Sequence, residues 1–139
     1  MSSREFDVID GQQRLVTLMT LFAVLRDLEA EPRKPVSKRV HGMLVAQQGA
    51  RFFRTERYRL HLASRERSVF EDYVLQPGGV LQTADVVSPS KSETTLLEVR
   101  DLYRTMLADL GPKARRKLAD FIADNCYVVI VVGQDIDKA

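Results

Sequence analysis

The amino-acid sequence predicts an α+β domain that is mostly helical and contains a small β-sheet. Apolar residues recur at helical spacing in five segments, whereas residues 56–62 alternate between apolar and polar side chains with the period of a strand. A third signal is the run 126–132, which carries no charge and is rich in β-branched residues. The predicted order is strand, two helices, strand, three helices, strand, so that the small sheet carries both ends of the chain.

The N-terminal part predicts a short strand over residues 5–9, because Phe6 and Val8 alternate with acidic side chains. A helix is expected from residue 12 to about residue 30. Its apolar residues form two neighbouring stripes, so most of its surface is expected to be buried. Prolines at positions 32 and 35 end this helix, since proline disfavours helical backbone in the residue before it.

The middle of the chain predicts a second helix over residues 36–48, with Gly49 as its stop, and then the strand 56–62. One face of this strand is apolar and the other is cationic. A third helix is expected over residues 64–74. It ends before the Gln-Pro-Gly-Gly turn at 76–79.

The C-terminal part predicts two further helices and a strand. Ser90 and Glu93 have the spacing of a capping box and mark the start of the longest helix, which keeps an apolar stripe as far as Gly111. Pro112 suits the first position of the next helix, which is expected to end near residue 125. Residues 126–132 are expected to form a strand covered on both faces, with Cys126 in the core.

Length and composition favour a single domain over residues 1–139. One cysteine excludes a disulfide within the chain, and two distant histidines do not suggest a zinc site. The sequence has no secretory leader pattern, and seven residues is too short an apolar run for a membrane helix, which needs roughly 20. These observations predict a cytoplasmic protein without a membrane partner.

The junction around Asp10 and Gly11 is the strongest candidate for chemistry. A strand, a tight turn and a helix N-terminus follow one another, and such a helix start attracts phosphate through its unpaired N–H groups and its dipole. Arg14 lies one turn into the helix and is able to bind phosphate oxygens, and the Thr17 hydroxyl lies one turn further. A purely structural alternative is that Asp10 and Gln13 form a capping box and Gly11 only relieves the turn.

Residues 8–18 include the five-residue sequence Asp10-Gly11-Gln12-Gln13-Arg14, between an apolar strand and a Leu/Thr-rich helix. This segment resembles the DGQQR signature in the N-terminal domain of GmrSD-type (GmrSD/SspE-like) modification-dependent restriction enzymes. The rest of the chain resembles that domain more loosely, through the strand near residues 58–62, the long helix, and the helix followed by an apolar run.

The resemblance implies a ParB/sulfiredoxin-like nucleotide-binding domain of a bacterial, cytoplasmic anti-phage defence protein. In this family the domain hydrolyses a nucleoside triphosphate (NTP) with Mg²⁺ and couples hydrolysis to DNA cleavage by a separate HNH-type nuclease domain. Carried over to this sequence, the cofactor-binding residues would be Gly11, Gln12, Gln13, Arg14 and Thr17. The catalytic residues would be Asp10, which would orient Mg²⁺ or water, and Arg14. Sulfiredoxin chemistry is disfavoured, because Gln12 stands where that reaction needs a cysteine.

The same resemblance implies that residues 1–139 form an incomplete DGQQR domain. Family members are several times longer, with a Tyr-Gln-Arg-type motif before the DGQQR strand and a Phe-x-x-x-Asn segment and the nuclease domain after it. The expectation is therefore a truncated protein without a nuclease domain, inactive on its own as a nuclease.

A second hypothesis is a non-enzymatic module that binds nucleic acid or a protein. Residues 32–67 hold ten basic and two acidic side chains, although the net charge of the whole chain is only +2. Arg51, Arg54, Arg57 and Arg59 interleave with aromatic residues, a composition typical of nucleic-acid surfaces. The alternative is that the aromatic residues belong to the core and the arginines form a solvated face. The same choice, a solvated face or a partner surface, applies to the basic cluster at residues 113–117.

Overall fold

Helices dominate the computed structural model, which describes residues 5–8, 11–31, 33–49 and 55–133. The mostly helical α+β class with a small sheet is confirmed within these residues. The α-helices are α1 (Gln12–Asp27), α2 (Pro35–Leu44), α3 (Ser64–Phe70), α4 (Lys91–Ala108) and α5 (Pro112–Asn125). A π-helical turn, Glu71–Leu75, continues α3, and a short 3₁₀ turn, Gly79–Leu81, follows it. No helix in the described ranges is both long and apolar enough to cross a membrane.

The sheet is an antiparallel hairpin of β1 (Val45–Gln48) and β2 (Thr55–Tyr58). Val45 lies opposite Tyr58, and Gln48 lies opposite Thr55. The predicted second helix therefore ends at Leu44 instead of residue 48. The backbone at Val45 becomes extended and its side chain enters the core, because a β-branched residue suits a strand that has a partner.

Helix α1 is the centre of the core and contacts α2, α4, α5 and both short helical turns. Ala23 and Val24 are fully buried. Thr20 is also buried, and its hydroxyl has a partner there because it donates to the Val16 carbonyl at 2.7 Å. The prediction that most of this helix is buried is confirmed only for its later part, because the buried residues lie between Val16 and Arg26 whereas residues 12–14 are exposed. Its other buried apolar side chains are Val16, Met19, Phe22 and Leu25.

The two predicted terminal strands are wrong within the described residues. Residues 5–8 form no strand and the Phe6 side chain is 63% exposed; Ile9 lies outside the described part of the chain. The run 126–132 is exposed and forms no strand with the described residues, with Tyr127 90% exposed, and Cys126 is exposed instead of buried. A strand needs a neighbour to satisfy its N–H and C=O groups, and the strand pairing described here involves β1 and β2 alone.

The apolar stripe of α4 is buried only in part. Leu96 and Leu107 belong to the core, whereas Met106 and Leu110 are exposed, as is Phe121 on α5. Helical spacing places apolar residues on one face, but burial requires an element to cover that face. The capping box at the start of α4 is confirmed: Ser90 Oγ accepts from Glu93 N at 3.1 Å, and Glu93 Oε1 accepts from Ser90 N at 3.0 Å.

Two buried arginines connect α1 and α4 to the segment 73–80. Arg26 Nη1 donates to the Leu75 carbonyl at 2.7 Å, and its Nη2 donates to the carbonyls of Val74 and Gln76. Arg100 Nη1 donates to Tyr73 O at 3.3 Å and to a second carbonyl nearby. The first residues of the two helices, Gln12 and Lys91, line one cleft, so the N-termini of α1 and α4 lie at the same end.

Replacing Gly79 with alanine is expected to lower the free energy of unfolding by about 1–3 kcal/mol. The added Cβ would lie 2.6 Å from the backbone oxygen of Asp72, which has no rotamer that removes the clash. Denaturant unfolding measures the loss. The matched control is Gly42→Ala in α2, where nothing lies within 4 Å and alanine is the better helix former. Equal losses of unfolding free energy in the two variants would contradict the role given to the contact between residue 79 and the Asp72 oxygen.

The ion pair between Glu29 and Arg116 is expected to make stability depend on pH in the acid range. Arg116 Nε and Nη2 donate to the two Glu29 oxygens at 2.8 and 2.7 Å, and these bonds lower the pKa of Glu29 from 4.5 to about 2. A folded-state pKa below the unfolded one stabilises the protein fully above about pH 4.5. This contribution is lost as the pH falls towards 2.

The check is the difference in unfolding free energy between the wild type and Glu29→Gln, measured from about pH 2 to about pH 7. We expect a constant difference above the unfolded pKa and a steady decrease below it. Glu31→Gln is the control, because Glu31 is exposed and contacts Arg116 only at 3.5 Å. A Glu29→Gln difference that does not change with pH would refute the linkage.

Candidate functional site

A cleft of about 390 Å³ opens between the N-terminal halves of α1 and α4. Its volume is within the range of small-molecule sites, roughly 300–1,000 Å³. Leu62, two residues before α3, and Glu66, in the first turn of α3, complete its wall. Two helix N-termini therefore lie at one cleft.

Helix α1 begins directly after Gly11, which is its N-cap. Gly11 has φ 86° and ψ 7°, a left-handed conformation that glycine adopts without the steric penalty of a Cβ. Because the N-cap is a glycine, no N-cap side chain bonds to the helix start. Gln13 is the second helical residue. This geometry does not support a capping box of Asp10 and Gln13, although Asp10 itself lies outside the described residues.

Gln12, Gln13 and Thr17 of the predicted site line the cleft. The two glutamine side chains are exposed, and their backbone N–H groups belong to the first turn, which lacks intrahelical acceptors. The Thr17 hydroxyl donates to Gln13 O at 2.8 Å. In this arrangement Thr17 offers the cleft an oxygen that accepts a hydrogen bond, because its proton is used within the helix.

Arg14 lies beside the cleft and is not among the residues that line it. It stands three positions before Thr17, which places it about 60° away around the helix axis. Its side chain is exposed and forms no hydrogen bond or ion pair with any residue in the described ranges. The guanidinium donors are thus not used by the described residues, and they belong to the helix face next to the one that lines the cleft.

The second half of the cleft comes from α4, which supplies Lys91, Ser92 and Thr95. The sequence predicted this helix start but gave no signal that it lies beside the first one, since their neighbourhood depends on the packing of α1 on α4. Lys91 is exposed and has no ion-pair partner in the described part of the chain. Glu93, two residues further along α4, faces Arg65 at 3.3 Å, and the bonds with Ser90 and this arginine lower its pKa.

The inner lining is apolar. Val16 and Leu96 are buried, and Leu62 and Val99 are partly exposed to the cleft. Glu66 is the acidic residue among the described lining side chains. Within the described ranges, no group of three or more His, Cys, Asp and Glu residues is arranged to hold a metal ion.

The predicted nucleic-acid surface is only partly described. Arg51 and Arg54 lie outside the described residues. Arg57 pairs with Glu5 and donates to His61 Nε2 at 3.2 Å, and Arg59 Nε donates to Gly42 O at 2.9 Å. These two arginines are already bound to their own chain, which leaves fewer donors for a nucleic-acid backbone.

The basic cluster near residues 113–117 also has structural partners. Arg116 bonds Glu29, and Arg115 donates to the carbonyls of Leu107, Leu110 and Leu28. Arg115 thereby closes the end of α4, whose last carbonyls lack intrahelical donors. Arg115 and Arg116 thus bind α5 to the rest of the structure and do not form a free surface.

Comparison of the chain with models of known protein families, with curated proteins and with solved structures gave no match. The likeness to the modification-dependent restriction enzymes therefore rests on the sequence itself, chiefly on residues 8–18, and stays a prediction.

Proposed function

We propose that this chain is the NTP-phosphate-binding domain of a modification-dependent restriction or anti-phage defence protein, and that the phosphates bind in the cleft between α1 and α4. The observation that carries the proposal is the lining of this cleft. Gln12 and Gln13 of the DGQQR segment share it with Lys91 and Ser92 of α4. The segment singled out by its sequence thus lies at a cleft of suitable size.

Electrostatics favours a polyanionic ligand at this end of the molecule. Each helix N-terminus carries about half a positive charge, and two of them meet at the cleft. Lys91 adds a full charge that no described acidic residue neutralises. Glu93 offsets part of the α4 dipole, but it is itself bound to Ser90 and Arg65. Glu66, in the wall of the same cleft, carries a negative charge, so the positive potential is confined to the two helix starts and Lys91, where a triphosphate would bind.

Each predicted residue has a distinct role in this proposal. The first N–H groups of α1 bind phosphate, while Gln12 and Gln13 donate from their side-chain amides. Arg14 turns from the edge of the cleft to neutralise the terminal phosphate. Asp10 orients Mg²⁺ or water, and Thr17 accepts a hydrogen bond from the ligand or its water shell. Mg²⁺ supplies charge neutralisation when it accompanies the triphosphate.

The wider role follows from the resemblance. The chain would belong to a ParB/sulfiredoxin-like domain in the bacterial cytoplasm, with NTP hydrolysis completed by residues of the intact protein. DNA would be a partner through the parent enzyme, in which a nuclease domain or subunit performs the cleavage. Binding of nucleic acid by the basic segment is less favoured, because Arg57 and Arg59 are already bound to their own chain.

The test is the affinity of the chain for labelled ATP and GTP with Mg²⁺, measured for the wild type, Lys91→Ala and Arg14→Ala. Each substitution removes a charged hydrogen-bond donor, so we expect the dissociation constant to rise by about tenfold or more. Lys113→Ala is the matched control, since Lys113 is also an exposed lysine in the first turn of a helix but does not line the cleft.

Three results would count against the proposal. The first is that the wild type binds neither nucleotide. The second is that Lys91→Ala and Lys113→Ala bind with the same affinity as the wild type, which would remove the cleft from consideration. The third, unchanged affinity in Arg14→Ala alone, would remove Arg14 from the site and leave the cleft.

A further inference from the structure

The cleft contains a second uncompensated charge, Glu66. It is the third residue of α3, and its side chain is partly buried at the wall of the cleft. Its neighbours Arg65 and Arg67 pair with Glu93 and Glu71, at 3.3 and 3.0 Å. Glu66 itself forms no hydrogen bond or ion pair with a residue in the described ranges. The chain thus pairs the charges on either side and leaves this carboxylate facing the cleft.

Lys91 and Glu66 line the same cleft without bonding to each other. The lining also includes apolar side chains, among them Val16, Leu62 and Leu96. A ligand that matches this surface carries an anionic group, an apolar or flat part, and a group that donates a hydrogen bond to a carboxylate. An inorganic phosphate satisfies only the first requirement.

Glu66 is unable to contact the phosphates directly, because like charges repel strongly in a partly buried site. An ionised carboxylate is an acceptor only, so its partner must be a neutral or cationic donor. In a nucleoside triphosphate the ribose 2′ and 3′ hydroxyls are neutral donors close to the phosphates. Carboxylates accept from ribose hydroxyls in other nucleotide sites, where the acidic residue reads the sugar.

We infer that Glu66 accepts hydrogen bonds from the ribose hydroxyls and that the cleft favours nucleotides whose sugar carries them. The inference rests on the proposed function, because it assigns the sugar end of the same ligand whose phosphates lie at the starts of α1 and α4. Glu66 is then a specificity-determining residue, and neither its type nor its spacing in the sequence marks it as one.

The experiment compares ATP with 2′,3′-dideoxy-ATP, both with Mg²⁺, in direct binding to the full chain. In the wild type the dideoxy analogue is expected to bind about tenfold more weakly, the loss of a charged hydrogen bond. In Glu66→Ala, ATP binding falls to the level of the analogue, whose own affinity does not change. Glu66→Gln keeps an oxygen acceptor in place and restores part of the preference. Glu98→Ala, an exposed glutamate of α4 outside the cleft, is expected to behave as the wild type.

The inference is overturned if the wild type binds ATP and its dideoxy analogue equally. It is also overturned if Glu66→Ala weakens both ligands to the same extent, or if that variant changes only the dependence of binding on Mg²⁺, which would make Glu66 a metal ligand. In each case nucleotide binding by the wild type persists and the proposed function stands. Absence of binding by any nucleotide, by contrast, overturns both.

Discussion

The buried guanidinium of Arg26 is the interaction on which the arrangement of this protein depends. It donates to three consecutive carbonyls at residues 74–76, and Asp27 beside it accepts from the N–H groups of Gly78 and Val80 at 3.0 and 3.1 Å. The two side chains are 6% and 3% exposed. A buried charge is tolerated only when its hydrogen bonds are made, so the segment 74–80 has to take the path that these two residues require.

From this attachment the rest of the fold follows in steps. Arg26 donates hydrogen bonds to the carbonyls at the end of the π-helical turn. Arg100 of α4 donates to the same segment, and its guanidinium lies 5.9 Å from the centre of the Tyr73 ring. Helices α1 and α4 are therefore held side by side through the turn between them. Helix α5 is added by Arg116 on Glu29 and by Arg39 of α2, which pairs with Asp120 and Asp124.

Local structure could be predicted from the sequence, and long-range pairing could not. The five helices follow from apolar spacing, Pro112 and the Ser90 capping box, all of which act within a few residues. Of the hairpin, the sequence predicted a strand near β2 but placed β1 in a helix, since Val45 suits a helix end or a strand until its partner is known. The predicted strand over residues 126–132 was wrong for the same reason, because a β-branched composition favours extended backbone but does not supply a neighbouring strand.

The candidate site divides in the same way. Gly11 and the helix start at Gln12 were found from the sequence, because a turn glycine followed by a helix is a local pattern. Lys91 and Glu66 were missed, because they enter the cleft only through the packing of α4 and α3. Arg14 was expected within the site and lies at its edge, where the position around the helix, and not the distance along the chain, decides what a side chain lines.

The attachment at residues 74–80 joins α1 and α4 to one segment, and the starts of the two helices form the walls of the cleft. Arg26 lies fourteen residues after Gln12, which corresponds to roughly 20 Å along the helix axis. A change of about 5° in the angle between the two helices at the joined end would alter the separation of their N-termini by about 2 Å, close to the radius of a phosphate group. The width of the cleft at the helix starts thus depends on side chains that join the two helices further along their axes.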